Sequence, residues 1–257
     1  MQPESALSPQ DEALVKNEII KMLDAAPPTI GVVGVSGTGK SSTINAMFDT
    51  ELAVSHVRAC TSEFRNVDLQ LDMRKGAAAG ENVVLRMVDA PGLGEDVRRD
   101  HEYLDMYHAN LGRCDVILWV LTGRNRAVAL DQHYLQRLRP FHDRIVFGIN
   151  QIDIVEPMDW SSRTNLPSPA QERNIDAIVT DRKAHLMPVM GRPVDVIPYS
   201  SRNGYGLQEL FTALIGACPE TRSFIFGLLK NFGPYDFLPA GVRDRIVNLA
   251  ADPNARR

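Results

Sequence analysis

The segment Gly34–Ser41 has the residue types and the spacing of a loop that binds nucleotide phosphates. It fits the pattern GxxxxGK(S/T) at every fixed position, and it follows a β-rich run and precedes a helical one. Its glycines let backbone N–H groups approach phosphates without Cβ clashes, and the helix directs its positive end at the same anions. Lys40 is expected to neutralise phosphate charge and Ser41 to give its hydroxyl to Mg²⁺. The residues predicted to bind phosphate are Gly34, Ser36, Gly37, Thr38, Gly39, Lys40, Ser41 and Ser42.

A carboxylate and a glycine farther along the chain could complete this site. Asp89 directly follows the apolar run Val83–Val88, in the sequence Asp89-Ala-Pro-Gly92. A carboxylate at the end of a strand beside a phosphate loop can hold Mg²⁺, usually through water. The N–H of Gly92 can then contact the γ-phosphate and respond to its presence. The sequence therefore predicts Asp89 as a metal ligand and Gly92 as part of the catalytic machinery.

The sequence Asn150-Gln-Ile-Asp153, after the apolar run Ile145–Ile149, indicates which base is bound. A buried Asp153 carboxylate can accept hydrogen bonds from the N1–H and the exocyclic amine of guanine, and adenine offers no such pair. A site built to pair polar groups strongly rejects a ligand that lacks them. Together with the phosphate loop, this segment predicts GTP and GDP, with Mg²⁺, as the ligands. The alternative interpretation is an ordinary exit from a strand into a loop.

These motifs, in this order, resemble the Era-like branch of the TRAFAC class of GTPases over roughly residues 29–218. The family has lysine where this chain has Gln151. The resemblance implies that the segment Pro198–Leu210 reaches the guanine O6 with backbone amides near Ser200, with Ser201 in place of the usual alanine. The residues predicted to contact guanine are therefore Asn150, Gln151, Asp153, Ser200 and Ser201.

The resemblance also implies a switch threonine that closes on Mg²⁺ and on the γ-phosphate. Thr61 is the best candidate in this sequence, and Thr50, Ser55 and Ser62 are alternatives. The predicted metal ligands are then Ser41, Thr61 and Asp89, and the predicted catalytic residues are Lys40, Thr61 and Gly92.

Finer features are similar to a bacterial, prophage-associated branch related to HSR1, whose members are often labelled ribosome-binding GTPase domains. These features are the run Asp115–Val120, Asp131, Gln151 and the segment Ser168–Gln171. The KH domain through which Era contacts RNA has no counterpart after Pro219, which weakens the case for a ribosomal role.

Leu93 stands after Gly92, where many small GTPases have a glutamine that positions the attacking water. Leucine cannot take that role, so the resemblance implies slow hydrolysis that a second copy of the chain, an ion or a protein partner completes. Potassium activation is not favoured, because Gly37 replaces the asparagine of potassium-stimulated relatives. One alternative function is a GTP-sensing module with negligible turnover. Another is a dynamin- or immunity-GTPase-like protein that assembles at membranes, suggested by Lys40–Ser42 and the apolar segment Phe224–Leu229.

The elements that must position these residues alternate between short β-rich runs and helical stretches. This alternation predicts an α/β fold, a three-layer doubly wound P-loop G domain with a mostly parallel six-stranded sheet and one antiparallel edge strand. We expect a helical extension over residues 1–28, the G domain over 29–218 and a helical tail over 219–257, with a loop or insertion over Glu156–Pro169. The predicted strands are Ile30–Val35, Phe64–Met73, Val83–Val88, Val116–Leu121, Ile145–Ile149 and Val194–Pro198. The predicted helices are Lys40–Phe48, His101–Leu111, Asp131–Leu138, Ala170–His185 and Gly206–Ala217.

Composition adds limits on compartment and partners. The net charge is −4 and the pI about 5.9, which give no general attraction to nucleic acid or anionic lipid. Cys60, Cys114 and Cys218 are far apart, which favours free thiols in a reducing compartment over disulfides or zinc. The N-terminus has acids and no apolar core, and no apolar run is long enough to span a bilayer, so a cytoplasmic protein is expected. The expected partners are a guanine nucleotide and either a second copy or a protein effector, and contact with nucleic acid or the ribosome is left open.

Overall fold

The computed structural model describes residues 9–48, 64–72, 82–94, 100–124, 128–219 and 222. The strands within these ranges are β1 (Thr29–Val33), β2 (Arg65–Asp72), β3 (Asn82–Asp89), β4 (Val116–Thr122), β5 (Ile145–Asn150), β6 (Trp160–Ser161), β7 (Leu166–Pro167) and β8 (Val196–Pro198). The helices are α1 (Pro9–Ala25), α2 (Lys40–Phe48), α3 (Asp100–Leu111), α4 (Ala129–Arg137), α5 (Pro169–Met190) and α6 (Leu207–Gly216). Short 3₁₀ helices span Arg139–Arg144 and Ile152–Ile154.

Six of these strands form one sheet in the order β2-β3-β1-β4-β5-β8. All neighbouring pairs are parallel except β2 and β3, which pair antiparallel from Arg65 opposite Asp89 to Asp72 opposite Asn82. The predicted mostly parallel sheet with one antiparallel edge strand is therefore confirmed. Because the carboxyl ends of parallel strands meet at one edge, the segments that follow β1, β3, β4, β5 and β8 converge there.

Helices cover both faces of this sheet, which explains why the central strands are continuous apolar runs. Every residue of β1 and β5 is buried, and so is β4 up to Leu121. Along β4 the side chains alternate between two cores. Leu118 packs with residues of α2 and α6, and Trp119 packs with residues of α3, α4 and α5.

The segment Glu156–Pro169 is more ordered than the prediction of a loop or insertion, because β6 and β7 pair within it as a small antiparallel hairpin. The Trp160 indole N–H donates to Asn165 Oδ1 at 3.1 Å, and the Trp160 ring meets the Tyr205 ring edge-on at 5.2 Å. Helix α5 also runs farther than the predicted Ala170–His185, past Pro188, and it ends at Gly191 in the left-handed region.

A single arginine ties the two ends of the predicted G domain together. Arg222 donates from Nε and Nη2 to the two carboxylate oxygens of Asp115, at 3.0 and 3.1 Å, and from Nη2 to the Ala26 carbonyl at 2.9 Å. Asp115 Oδ2 also accepts the backbone N–H of Thr29, at the start of β1. The tie lies at the end of the sheet opposite the phosphate loop. The domain boundaries at residues 28 and 218 stay a prediction.

Cys114 and Cys218 are buried free thiols, as predicted, and burial raises the pKa of each to about 12. Cys60 and most of the predicted helical tail over 219–257 lie outside the described residues. Within the described ranges, no helix has the length and apolar character needed to cross a membrane.

Candidate functional site

The phosphate loop, residues 34–41, connects β1 to α2, and two of its glycines leave no room for a side chain. A Cβ on Gly34 would lie 2.4 Å from the Val120 carbonyl oxygen, and a Cβ on Gly39 would lie 2.5 Å from Asn150 Nδ2. Both residues also have positive φ angles, of 152° and 87°. The strands and loops behind the phosphate loop therefore fix its path and require glycine at these two positions.

Lys40 is the first residue of α2, and its side chain lies against the phosphate loop. Its Nζ donates to the carbonyls of Gly34 at 3.1 Å and Val35 at 3.3 Å, and the residue is 8% exposed. The hydroxyl of Thr38 donates to the Val35 carbonyl at 2.9 Å. These bonds hold a positive charge at the mouth of the loop, where an anion would bind. Ser36 and Gly37 are exposed, and Ser42 is half-buried on the first turn of α2.

Ser41 and Asp89 come together from separate elements, as a shared metal site requires. The Ser41 hydroxyl donates to Asp89 Oδ2 at 2.8 Å, and Asp89, the last residue of β3, is 1% exposed. A hydroxyl and a carboxylate are the oxygen ligands that Mg²⁺ takes beside phosphates, so this donor set fits the predicted metal. Thr61 and its alternatives Thr50, Ser55 and Ser62 lie outside the described residues.

The segment after β3 runs along the phosphate loop. The Leu93 N–H donates to the Gly34 carbonyl at 3.2 Å, and the Leu93 carbonyl accepts the Ser36 N–H at 3.1 Å. Gly92, the preceding residue, therefore lies directly beside the loop. The Leu93 side chain is 1% exposed and packs into the apolar core that contains Val33. In this conformation it cannot contact a water molecule near the phosphates.

Asn150 joins three segments at the end of β5. Its Nδ2 donates to the Thr38 carbonyl at 3.0 Å, and its Oδ1 accepts the Ser201 N–H at 3.0 Å. The side chain thus connects the phosphate loop to the segment 200–206, called here the serine loop. Because Asn150 is 1% exposed, both bonds are shielded from water and hold the two loops in register.

Gln151 extends this connection. It has a left-handed conformation, with φ of 64°, and its Nε2 donates to the Gly37 carbonyl at 3.3 Å. Its Oε1 accepts the Thr122 hydroxyl at 2.8 Å. The neutral glutamine thus bridges the end of β4 to the phosphate loop, and sequence reasoning did not identify Thr122 as its partner.

Asp153 lies in the 3₁₀ turn of the base loop, defined here as residues 150–155. Its Oδ1 accepts the Ser200 hydroxyl at 2.7 Å, and Ser200 Oγ accepts the Asn203 N–H at 3.1 Å. Asp153 is 9% exposed and Ser200 is fully buried. The serine loop therefore fixes the orientation of the carboxylate, and the structure brings together the predicted phosphate, metal and base residues that it describes.

Two buried residues that support this site were not assigned a role from the sequence. The Tyr199 hydroxyl and the Thr43 hydroxyl are 2.9 Å apart, and the Thr43 hydroxyl donates to the Gly39 carbonyl at 2.8 Å. These contacts connect the end of β8 to the phosphate loop through the core. Thr43 stands among other polar residues and Tyr199 precedes a polar loop, so no feature of the sequence marks either as a supporting residue.

A cavity of about 200 Å³ lies behind the phosphate loop, lined by residues that include Ser36, Thr38, Asp131 and Arg182. The Trp119 indole N–H donates to Asp131 Oδ1 at 2.8 Å. Burial raises the pKa of Asp131 to about 6, although the Trp119 hydrogen bond and the positive charges of Arg182 and Lys40 act in the opposite direction. The folded protein therefore binds a proton at Asp131 more tightly than the unfolded chain does.

Asp131→Asn is expected to remove a pH dependence of stability. The folded pKa of about 6 lies above the unfolded value of 3.8, so the stabilisation from the bound proton is full below about pH 4 and is lost as pH rises through 6. Urea unfolding of wild type and variant should give free energies whose difference changes by about 2 to 3 kcal/mol over this window. The exposed Asp143→Asn is the control and should follow wild type. If the free energies of unfolding of wild type and Asp131→Asn changed in parallel with pH, the prediction would be contradicted.

The family described as 50S ribosome-binding GTPase matches residues 29–151. The uncharacterized protein YfjP of Escherichia coli K12 is 35% identical over 217 residues, which cover 82% of this chain and 70% of YfjP. GTPase Der of Buchnera aphidicola is 24% identical over 132 residues, which cover 49% of this chain and 26% of Der.

The solved structure of Era from Aquifex aeolicus, bound to GDP and AlF4⁻, superimposes with a TM-score of 0.54. The sequences are 19% identical, and the match covers 75% of this chain and 57% of the Era chain. At this identity the likeness establishes the fold. Because the match spans 26% of Der and 57% of Era, it concerns a part of each of these proteins rather than the whole.

Proposed function

Because this chain belongs to the Era-like P-loop GTPases, we propose that it is a molecular switch that binds GTP and GDP with Mg²⁺ and hydrolyses GTP slowly. The observation that carries the proposal is the convergence at one edge of the sheet. The phosphate loop, Asp89, the base loop and the serine loop meet there. Asn150 of the base loop bonds to the phosphate loop and to the serine loop, and Asp89 accepts the Ser41 hydroxyl of the phosphate loop.

In this function the phosphate loop binds the nucleotide phosphates with its backbone N–H groups, and Lys40 turns from the Gly34 and Val35 carbonyls to the β- and γ-phosphates. Ser41 and Asp89 would hold Mg²⁺, with Thr61 as the proposed switch ligand. A metal ion held by these residues would neutralise part of the negative charge of the phosphates. The Gly92 N–H contacts the γ-phosphate, so loss of that group on hydrolysis releases the segment after β3.

Base selection falls to Asp153, whose carboxylate accepts the N1–H and the exocyclic amine of guanine. The Ser200 bond at 2.7 Å sets the carboxylate before the base arrives, which lowers the cost of ordering it on binding. Ser201 N–H is already used by Asn150, so other amides of the serine loop are left to contact the guanine O6. Gln151 forms the edge of the base site nearest the phosphate loop.

Slow intrinsic hydrolysis is supported by the burial of Leu93. No side chain at that position can orient the attacking water, and the completion of such sites by a group from a partner raises rates by about 10³- to 10⁵-fold in related chemistry. We propose that a second copy of this chain, associating in the GTP state, completes the site.

The test is single-turnover hydrolysis of GTP over a wide range of protein concentration. The proposal predicts a rate constant that rises at least about tenfold between dilute and concentrated protein, as a second-order encounter requires. Lys40→Ala is the blank for contaminating activity. A rate constant that stays the same over the whole range would contradict activation by a second copy.

The second candidate function is a GTP sensor with negligible turnover, and the same Leu93 burial favours it. It differs in one measurable respect, because bound GTP would then persist unchanged at every protein concentration. The alternative of assembly at membranes rests on Lys40–Ser42, which the proposed GTPase function also uses, and on Phe224–Leu229, which lie outside the described residues.

A further inference from the structure

Gln171 of α5 contacts the base loop directly, and the proposed function gives it no role. It is fully buried, and its Nε2 lies within hydrogen-bond distance of three backbone carbonyls of the base loop. The distances are 2.8 Å to Val155, 3.0 Å to Asp153 and 3.3 Å to Ile152. A single amide nitrogen therefore holds the turn that carries the proposed base-selecting carboxylate.

The orientation of the Gln171 amide follows from its neighbours. A reversed amide would place its oxygen against three carbonyl oxygens, which cannot donate. In the observed orientation the amide oxygen, Oε1, is buried and has no hydrogen-bond partner within the described structure. A buried acceptor left unpaired is unfavourable, so the contacts of Nε2 with the base loop outweigh this cost.

The helix cap does not explain this glutamine. The sequence Ser168-Pro-Ala-Gln171 fits a capping box, in which the glutamine side chain would return to the N–H of Ser168. Ser168 Oγ does accept the Gln171 N–H, at 3.2 Å, but the Ser168 N–H donates to the Asp159 carbonyl at 2.8 Å. The glutamine side chain points to the base loop instead.

The Asp153 carbonyl depends most on this contact. The Ile152 carbonyl also accepts the Val155 N–H at 3.2 Å, and the Val155 carbonyl also accepts the Met158 N–H at 2.9 Å. The described contacts of the Asp153 carbonyl contain only Gln171 as a donor. Asp153 is thus held from two sides, its side chain by Ser200 and its backbone by Gln171.

We propose that Gln171 is a positioning residue for guanine recognition, which sets the Asp153 carboxylate so that it can accept two hydrogen bonds from one base. The proposal rests on the proposed function. This role differs from stabilisation of the fold alone. A shift of the Asp153 backbone would weaken the hydrogen bond from the exocyclic amine of guanine more than it weakens the binding of the nucleotide as a whole.

Inosine nucleotides test this, because inosine keeps the N1–H of guanine and lacks its exocyclic amine. A hydrogen bond to a charged group gives wild type a preference for GTP over ITP of about tenfold or more. Gln171→Met keeps the shape of the side chain without donors, and it should lower this ratio at least about fivefold. Gln171→Glu, which places oxygens against the three carbonyls, should lower it further. Where Gln171→Met does not fold, Gln171→Asn, which shortens the reach of the amide, replaces it.

The matched control is Asn174→Leu, one turn along α5. Asn174 Nδ2 donates to the Glu156 carbonyl at 2.8 Å, just beyond the base loop, so its loss should leave the GTP/ITP ratio within about twofold of wild type. Equal losses of GTP and ITP affinity in Gln171→Met would overturn the proposal and leave a structural role. Titration of wild type with ATP distinguishes failure of this proposal from failure of the proposed function, since equal binding of ATP and GTP would overturn the proposed function itself.

Discussion

Lys40→Ala is expected to reduce the affinity for GTP by at least about 100-fold. The Lys40 ammonium is held 3.1 Å from the Gly34 carbonyl, so it lies beside the phosphate loop and needs only a side-chain rotation to contact bound phosphates. Hydrogen bonds to charged groups contribute about 1.5 to 3 kcal/mol each, and loss of two of them, to the β- and γ-phosphates, corresponds to about 100-fold or more. Calorimetric titration with Mg²⁺ and a non-hydrolysable GTP analogue measures the effect.

Lys21→Ala is the matched control for this experiment. Lys21 lies on α1, where its Nζ is 2.7 Å from Glu18 Oε1 and its side chain is 71% exposed. An exposed pair of this kind contributes little to stability, and the control should bind nucleotide as wild type does. Thermal unfolding should show both variants folded. A folded Lys40→Ala protein with wild-type affinity would show that the phosphate loop has been assigned to the wrong ligand.

Asp153→Asn is expected to reverse the base preference from guanine to xanthine. The Ser200 hydroxyl donates to Asp153 Oδ1 at 2.7 Å, and the asparagine oxygen can accept the same bond. Its amide NH₂ then takes the place of Oδ2, where it repels a guanine donor but can donate to the C2 carbonyl of xanthine. GTP affinity should fall about 100-fold and XTP affinity should rise by a similar factor, since mispaired buried polar groups are strongly rejected.

Competition of XTP and GTP for the same protein gives the ratio directly. Asp195→Asn is the control, because it makes the same chemical change at a side chain that is 93% exposed. It should keep the wild-type preference for GTP. If Asp153→Asn lost affinity for GTP and gained no affinity for XTP, Asp153 would support the base loop rather than select the base.

The fold and the identity of the site could be predicted because both are encoded in short stretches of sequence. The phosphate loop requires glycine at Gly34 and Gly39, where a Cβ would meet the Val120 carbonyl and the Asn150 amide. The continuous apolar runs of the central strands indicate in the sequence itself that both faces of the sheet are buried. Asp89 and Asp153 each follow such a strand, so their placement at one edge of the sheet comes from topology alone.

The supporting residues could not be predicted, because their partners are distant in sequence. Gln151 bonds to Thr122 and to Gly37, and Gln171 bonds to the base loop. The sequence predicted Gln151 at the base site and included Gln171 among the features of the resemblance, but it does not show which atoms these side chains bond to. The β6–β7 hairpin was missed for a different reason. Its short strands depend on Asn165 in a left-handed conformation and on the Trp160 contacts, rather than on alternating apolar residues.

The central claim is that this chain selects guanine nucleotides, and calorimetric titration of wild type with GTP and then ATP, each with Mg²⁺, tests it most directly. The geometry of Asp153, fixed by Ser200, predicts binding of GTP and a loss of about 100-fold or more for ATP. Binding of ATP and GTP with equal affinity would contradict the claim, and the phosphate loop would then serve a general nucleoside triphosphate site.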